Sequence, residues 1–441
     1  MQIDKTTLSD LSVFHHQEEY SLFRLIDYTT TAEGKSVLHS ILHHPLKDRT
    51  EIISVQVILS LIGNNIHEWP TDITNGTILI IEKFFNDNPD PIPENCSSLQ
   101  ASMYKWLHPR DFSLILFSMR QLFNLLKGFQ RIHTFFEGKQ LPAPLEKIIT
   151  ATKRILSDEQ LLSLHSKKEF HELNNRDILY YGRFFYIERV QEIRQLIQYY
   201  GQLDAWYSMA KANLTLNLCN PNFIDEGVLI EVKSLRHLLL EHPVSYDISM
   251  NKDSNFIFLT GANMAGKSTM IKAVGLSVYL AHLGMGVPAT EMKLTLFEGI
   301  LSNINVEDNI AKGESYFFNE VRRIKETIER ITDGSNWLVL IDELFKGTNI
   351  QDAMKCSLAV IRGLIKIKKC LFILSTHLYE IGDELKDLST IEFRYFETIL
   401  KDNQLRFSYQ LKKGISQDRM GFLILQREGV MDLLENLDKT S

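Results

Sequence analysis

Residues Phe256 to Thr269 read FIFLTGANMAGKST, and no other stretch constrains the fold so strongly. An apolar run ends in Thr260 and is followed by Gly261, four residues, then Gly266, Lys267 and Ser268. This is the phosphate-loop pattern G-x-x-x-x-G-K-[ST], which belongs between a buried strand and a helix. The strand delivers a loop whose backbone N–H groups turn inward on an anion, and Gly266 lets the backbone approach it closely. The expected nucleotide-binding residues are therefore Gly261, Ala262, Asn263, Met264, Ala265, Gly266, Lys267, Ser268 and Thr269. Lys267 reaches the β- and γ-phosphates, and the Ser268 hydroxyl ligates Mg²⁺. The helix from Thr269 to about His282 turns its positive N-terminal end to the same anion.

A second motif supports the first. Trp337 to Glu343 read WLVLIDE, a near-continuous apolar run ending in two carboxylates. A strand buried on both faces has this pattern. Asp342 is expected to hold the Mg²⁺ shell, and Glu343 to polarise the water that attacks the γ-phosphate. A third apolar run, Cys370 to Thr376, ends beside His377. Ligands bind at the carboxyl ends of strands in open α/β sheets, so His377 is expected to sense the γ-phosphate or orient water.

At 441 residues the chain should hold two or three domains. Cys96, Cys219, Cys356 and Cys370 show no metal-binding spacing and read as reduced thiols of a cytoplasmic protein. MQIDKTTLSD carries no signal peptide pattern, and no apolar run is long enough to span a membrane. A net charge of −7 argues against a chain dominated by nucleic-acid contacts.

The text changes character near residue 220. From Gln17 to about Leu218, apolar residues recur at three- and four-residue spacing. Asp111–Phe136 and Ile187–Leu214 are the clearest long amphipathic helices, with aromatic residues that read as core. Pro89, Pro91 and Pro93 mark an extended linker, and Leu173 to Tyr186 has weak helical phase and reads as a loop or hairpin. After Asn220, short apolar strands alternate with helices, as in a parallel α/β sheet.

These residues carry a family resemblance. Thr260 to Ala289 resembles the ATPase domain of the MutS family of DNA mismatch-repair proteins, whose loop reads close to TGPNMGGKST; this chain departs at Ala262 and Ala265. Gly313 to Glu320 (GESYFFNE) resembles the family's G-x-S-T-F-x-x-E, whose serine, here Ser315, acts in trans on the nucleotide of the opposite subunit. Asp342 to Asp352 (DELFKGTNIQD) resembles D-E-x-G-R-G-T-S-x-x-D, with Phe345 in place of a glycine and Lys346 in place of an arginine. Ser375-Thr376-His377 matches the family's A-T-H. Ser21 to Leu46 resembles the start of the family's helical lever, and Tyr409 to Leu434 its C-terminal helix-turn-helix.

The resemblance implies an all-helical lever domain (1–218), then an ABC-type P-loop ATPase domain with a mostly parallel sheet (219–408), then a dimerising helix-turn-helix (409–441). The lever-like text begins almost at residue 1, so mismatch-reading and connector domains are expected to be missing. The clamp has little room between Thr150 and Ile187 and is expected to be absent or vestigial. The implied activity is Mg²⁺-dependent ATP hydrolysis by a homodimer, coupled to double-stranded DNA in mismatch repair or recombination, without autonomous mismatch reading. Backbone contacts to DNA would come from lever cations such as Lys167, Lys168, Arg189 and Arg194. One alternative is an ATP-gated regulatory dimer that does not contact DNA. Another, a transporter's ATP-binding subunit, is disfavoured by the lack of an L-S-G-G-Q signature.

Overall fold

The computed structural model describes residues 1–15, 17, 20–87, 90–94, 96–165, 167, 169–304, 316–401 and 404–416. The chain divides into two compact units. One is helical and holds Ile26–His44 and Thr50–Leu216. The other holds Met1–Leu25, Pro45–Arg49 and the chain from Asn217 onward. The first 25 residues therefore belong to the sheet-bearing unit, not to a helical domain spanning 1–218. Strand β1 (Gln2–Ile3) and helix α1 (Lys5–Asp10) are too short to show a period, which is why the sequence hides this. Helix α2 (Leu22–Ile26) follows.

The helical unit contains α3 (Ala32–His43), α4 (Arg49–Gly63, entering at Thr50), α5 (Asn75–Asn86), α6 (Ser98–Leu107), α7 (Pro109–Phe135), α8 (Ala143–Leu156), α9 (Glu159–His165), α10 (Asn175–Glu188) and α11 (Val190–Thr215). Polar caps start several of them: Thr31, Thr74, Ser97 and Asn174 each accept a backbone N–H from the first turn. On α7 the buried residues Phe112, Ile115, Met119, Leu122, Leu126 and Phe129 follow the three–four spacing that the sequence showed.

Leu173 to Tyr186 is not a loop or hairpin. Asn174 and Asp177 form a capping box, and α10 runs from Asn175. Its buried residues Ile178, Leu179, Tyr181, Phe184 and Phe185 spread over more than one face, which blurs the helical phase.

Helices α3 and α11 approach closely. A Cβ on Gly34 would lie 2.2 Å from Asp204 Oδ2, so only glycine fits there. Asp204 is fully buried and accepts from the backbone N–H groups of Thr30 and Thr31 (3.1 and 2.9 Å) and from both hydroxyls. Arg189 pairs with Asp158 (2.6 Å) and Glu192 (3.1 Å), and Arg194 pairs with Glu82 (3.3 Å). These two cations, expected as DNA contacts, are engaged within the unit. Lys168 lies outside the described residues.

The second unit continues with β2 (Asn222–Ile224), β3 (Leu229–Leu235), β4 (Tyr246–Asn251), β5 (Phe256–Thr260), α12 (Lys267–His282), β6 (Glu291–Thr295), β7 (Gly299–Asn303), α13 (Tyr316–Ile331), β8 (Trp337–Asp342), α14 (Ile350–Leu364), β9 (Cys370–Ser375), α15 (Glu380–Leu385), β10 (Ile391–Lys401) and β11 (Gln404–Lys413). Seven strands form one sheet in the order β1-β7-β8-β9-β5-β10-β11, parallel except for the β10/β11 pair. Strands β2, β6, β3 and β4 form a smaller, largely antiparallel sheet. The central β5, β8 and β9 are buried almost throughout, as their unbroken apolar runs require.

Tyr409–Lys413, expected within a helix-turn-helix, form the end of β11. Leu405, Phe407, Tyr409 and Leu411 alternate with polar residues, a period-two signal. The remainder of that segment, from residue 417, lies outside the described residues. Among the described residues, no helix is long and apolar enough to cross a membrane.

Candidate nucleotide site

Strand β5 ends at Thr260, and a loop of six residues leads into α12. Gly266 precedes the helix at φ +108°, a conformation that suits glycine. Lys267 is 6% exposed, and its Nζ donates to the carbonyl oxygens of Gly261 (2.8 Å) and Ala262 (3.1 Å). Burial lowers its pKa, while Glu343 and Asp342 oppose that shift. Ala262 and Ala265, where the chain departs from the family loop, are buried, and Met264 is exposed.

Asp342 ends β8 directly beside Ser375 at the end of β9. Ser268 donates to one Asp342 carboxylate oxygen and Ser375 to the other. The Ser268 hydroxyl and the Asp342 carboxylate thus meet at the N-terminus of α12. Both are hard oxygen donors of the kind Mg²⁺ takes, so the residues present fit that ion.

Glu343 has a left-handed backbone (φ +66°), and its N–H donates to Ser375 O at 2.9 Å. Its carboxylate lies 3.4 Å from His377 Nδ1 and 3.3 Å from Lys346 Nζ. The contact with His377 lowers the Glu343 pKa to about 2, helped by Lys346 and opposed by burial. Reciprocally, Glu343 raises the pKa of the half-exposed His377 imidazole. A carboxylate held toward its ionised form therefore stands one residue beyond the metal-ligand candidate.

A cavity of about 710 Å³ opens over these groups. Asn263, Met264, Gly266, Lys267, Ser268, Thr269, Asp342 and Glu343 line it. His377 reaches the site through Glu343 rather than by lining the cavity. His237, Leu240, Val244, Tyr246, Phe396 and Tyr409 also line the cavity, and the sequence singled out none of them for the site. They come from distant strands and loops and carry no shared spacing. Ser315 lies outside the described residues.

Residues 257–434 match the family model described as MutS domain V. The DNA mismatch repair protein MutS of Petrotoga mobilis is 28% identical over 251 residues, covering 55% of this chain and 30% of that relative. The MutS of Thermosipho melanesiensis is 23% identical over an alignment covering 98% of this chain and 63% of the relative. That of Oceanobacillus iheyensis is 25% identical, covering 83% and 43% respectively. The chain thus spans less than two thirds of the length of these relatives. The phosphate loop, the paired carboxylates and the histidine near three adjacent strand ends thus fall within a stretch that matches MutS domain V, and the chain is similar to MutS proteins beyond that stretch.

Proposed function

We propose that this chain binds ATP with Mg²⁺, hydrolyses it as a cytoplasmic homodimer, and couples that cycle to DNA in mismatch repair or recombination. The convergence of Lys267, Ser268, Asp342 and Glu343 on one cavity carries this reading. Lys267 would exchange its two carbonyl contacts for oxygens of the β- and γ-phosphates. Ser268 and Asp342 would hold Mg²⁺, which when bound would supply positive charge to offset that developing on the phosphates. Glu343 would accept a hydrogen bond from a water as its oxygen attacks the γ-phosphorus. The bond to the bridging oxygen breaks, releasing ADP and phosphate. His377 would hold the Glu343 carboxylate in place and ionised. Tyr246, Phe396 and Tyr409 offer a wall on which a planar base can rest.

The dimer reading rests on Ser315, which by family resemblance would act in the partner's site. The DNA reading rests on the relatives, which are named as mismatch repair proteins. A second reading, an ATP-gated regulatory dimer without DNA contact, is favoured by the ion pairs that occupy Arg189 and Arg194. Hydrolysis by the purified chain should require Mg²⁺ and vanish in Lys267→Ala. A titration of matched and mismatched duplex at physiological salt, with ATP and with ADP, separates the two readings: no binding in either state rejects the DNA reading.

A further inference from the structure

The loop that follows the two carboxylates has an unusual backbone. Glu343 (φ +66°) and Phe345 (φ +59°) are both left-handed although neither is glycine. Such residues persist only where their surroundings fix them. Two contacts from α13 do so here. The Phe345 ring is buried and lies 5.7 Å, centroid to centroid, from that of Phe317. Glu320 is 5% exposed and spreads its carboxylate over two backbone N–H groups, those of Lys346 (3.2 Å) and Gly347 (3.4 Å). Phe317 and Glu320 stand three residues apart, so one face of α13 holds both contacts.

Lys346 closes the circuit. Its N–H is held by Glu320, while its ammonium group lies against Glu343. Where the family pattern has a glycine at position 345, this chain takes the left-handed conformation with an aromatic residue and uses the ring to grip α13. Burial raises the Glu320 pKa and its two N–H donors lower it, consistent with a carboxylate committed to this one task.

We infer that Glu320 and Phe345 are positioning residues that lock α13 to the 343–348 loop, so that the carboxylate proposed to polarise water moves with this helix. The inference rests on the ATPase reading above.

The test combines amide hydrogen exchange with single-turnover ATP hydrolysis and nucleotide affinity in Glu320→Ala, Glu320→Gln and Phe345→Gly. Glu320→Ala should speed exchange at the Lys346 and Gly347 amides by about tenfold or more, with the strands of the sheet unchanged. It should slow the hydrolytic step by about tenfold and leave ATP affinity within about threefold. Glu320→Gln keeps one acceptor oxygen, enough for one of the two N–H groups, and should recover part of both losses. Phe345→Gly keeps the backbone conformation without the ring and should change exchange and rate in the same direction, less steeply. Unchanged exchange at the two amides in Glu320→Ala overturns the lock, as does an equal loss of rate and affinity, which marks a residue of general structural importance. If the wild-type chain does not hydrolyse ATP, the proposed function fails, while the exchange measurement still decides whether the lock exists.

Discussion

Ser268 donates a hydrogen bond to Asp342 across a separation of 74 residues, joining the first turn of α12 to the end of β8. The contact places a hydroxyl and a carboxylate where both can face one cation. Because Ser375 donates to the other Asp342 oxygen, that carboxylate is oriented from two sides.

Removing the hydroxyl should therefore act on the metal rather than on the phosphates. In Ser268→Ala, affinity for Mg²⁺–ATP should fall about tenfold, or about 1.4 kcal/mol. Affinity for ATP in EDTA should change much less, since Lys267 remains. Calorimetric titrations with and without Mg²⁺ check this; equal losses in both would show that Ser268 serves the loop and not the ion.

His377 sets the ionisation of Glu343. The histidine contact is the largest influence lowering that carboxyl to about 2, and burial pulls the other way. In His377→Ala the Glu343 pKa should rise toward or above its ordinary value. The acid limb of the hydrolysis profile should then move up by about one pH unit or more. For folding, a depressed carboxyl pKa contributes stability above the unfolded value near 4.5 that is lost as pH falls toward about 2. The variant should lack that contribution, and so lose less stability than the wild type as pH falls from about 4.5 to about 2. Rate–pH profiles of both proteins test the kinetic claim.

His282 predicts a different pH dependence. It is fully buried, its Nε2 accepts from the Phe297 N–H (3.3 Å), and its Nδ1 lies 3.0 Å from the Leu46 carbonyl oxygen. The neutral tautomer protonated on Nδ1 satisfies both contacts; a second proton would face the Phe297 N–H. Burial accordingly lowers its pKa to about 4. Here the unfolded chain binds the proton first. Stability should fall as pH drops from about 6.5 to about 4, by at most about 3 kcal/mol from this group. Urea unfolding at pH 7 and pH 4.5 should show a smaller difference between the two conditions in His282→Gln than in the wild type.

In the helical unit, Gly34→Ala should be costly because the new methyl meets the Asp204 carboxylate. Overpacking of this kind costs about 1–3 kcal/mol, and displacing Asp204 would also strand the Thr30 and Thr31 N–H groups it binds. A drop in the unfolding midpoint of this unit, with nucleotide affinity unchanged, is the expected result.

The placement of the candidate residues was legible because their pattern is local. Strands β5, β8 and β9 are apolar on both faces and end close to Lys267, Asp342, Glu343 and His377, so these four could be read in order as candidates. The rest of the lining was not legible. Phe396 and Tyr409 reach the cavity only because β10 pairs with β5 and β11 turns back along β10. In the text, Tyr409 stands in a segment resembling a helix-turn-helix, which masked the alternation of β11. Strand β1 was hidden for another reason: two residues carry no period, and their place beside β7 is set by non-local pairing.

The central claim is that Glu343 drives hydrolysis while Lys267, Ser268 and Asp342 hold the nucleotide. Single-turnover hydrolysis by Glu343→Gln, measured beside its Mg²⁺–ATP affinity, tests it most directly. The account predicts a rate reduced by about a hundredfold or more with affinity within about threefold of wild type. Hydrolysis at the wild-type rate with intact nucleotide binding would contradict it.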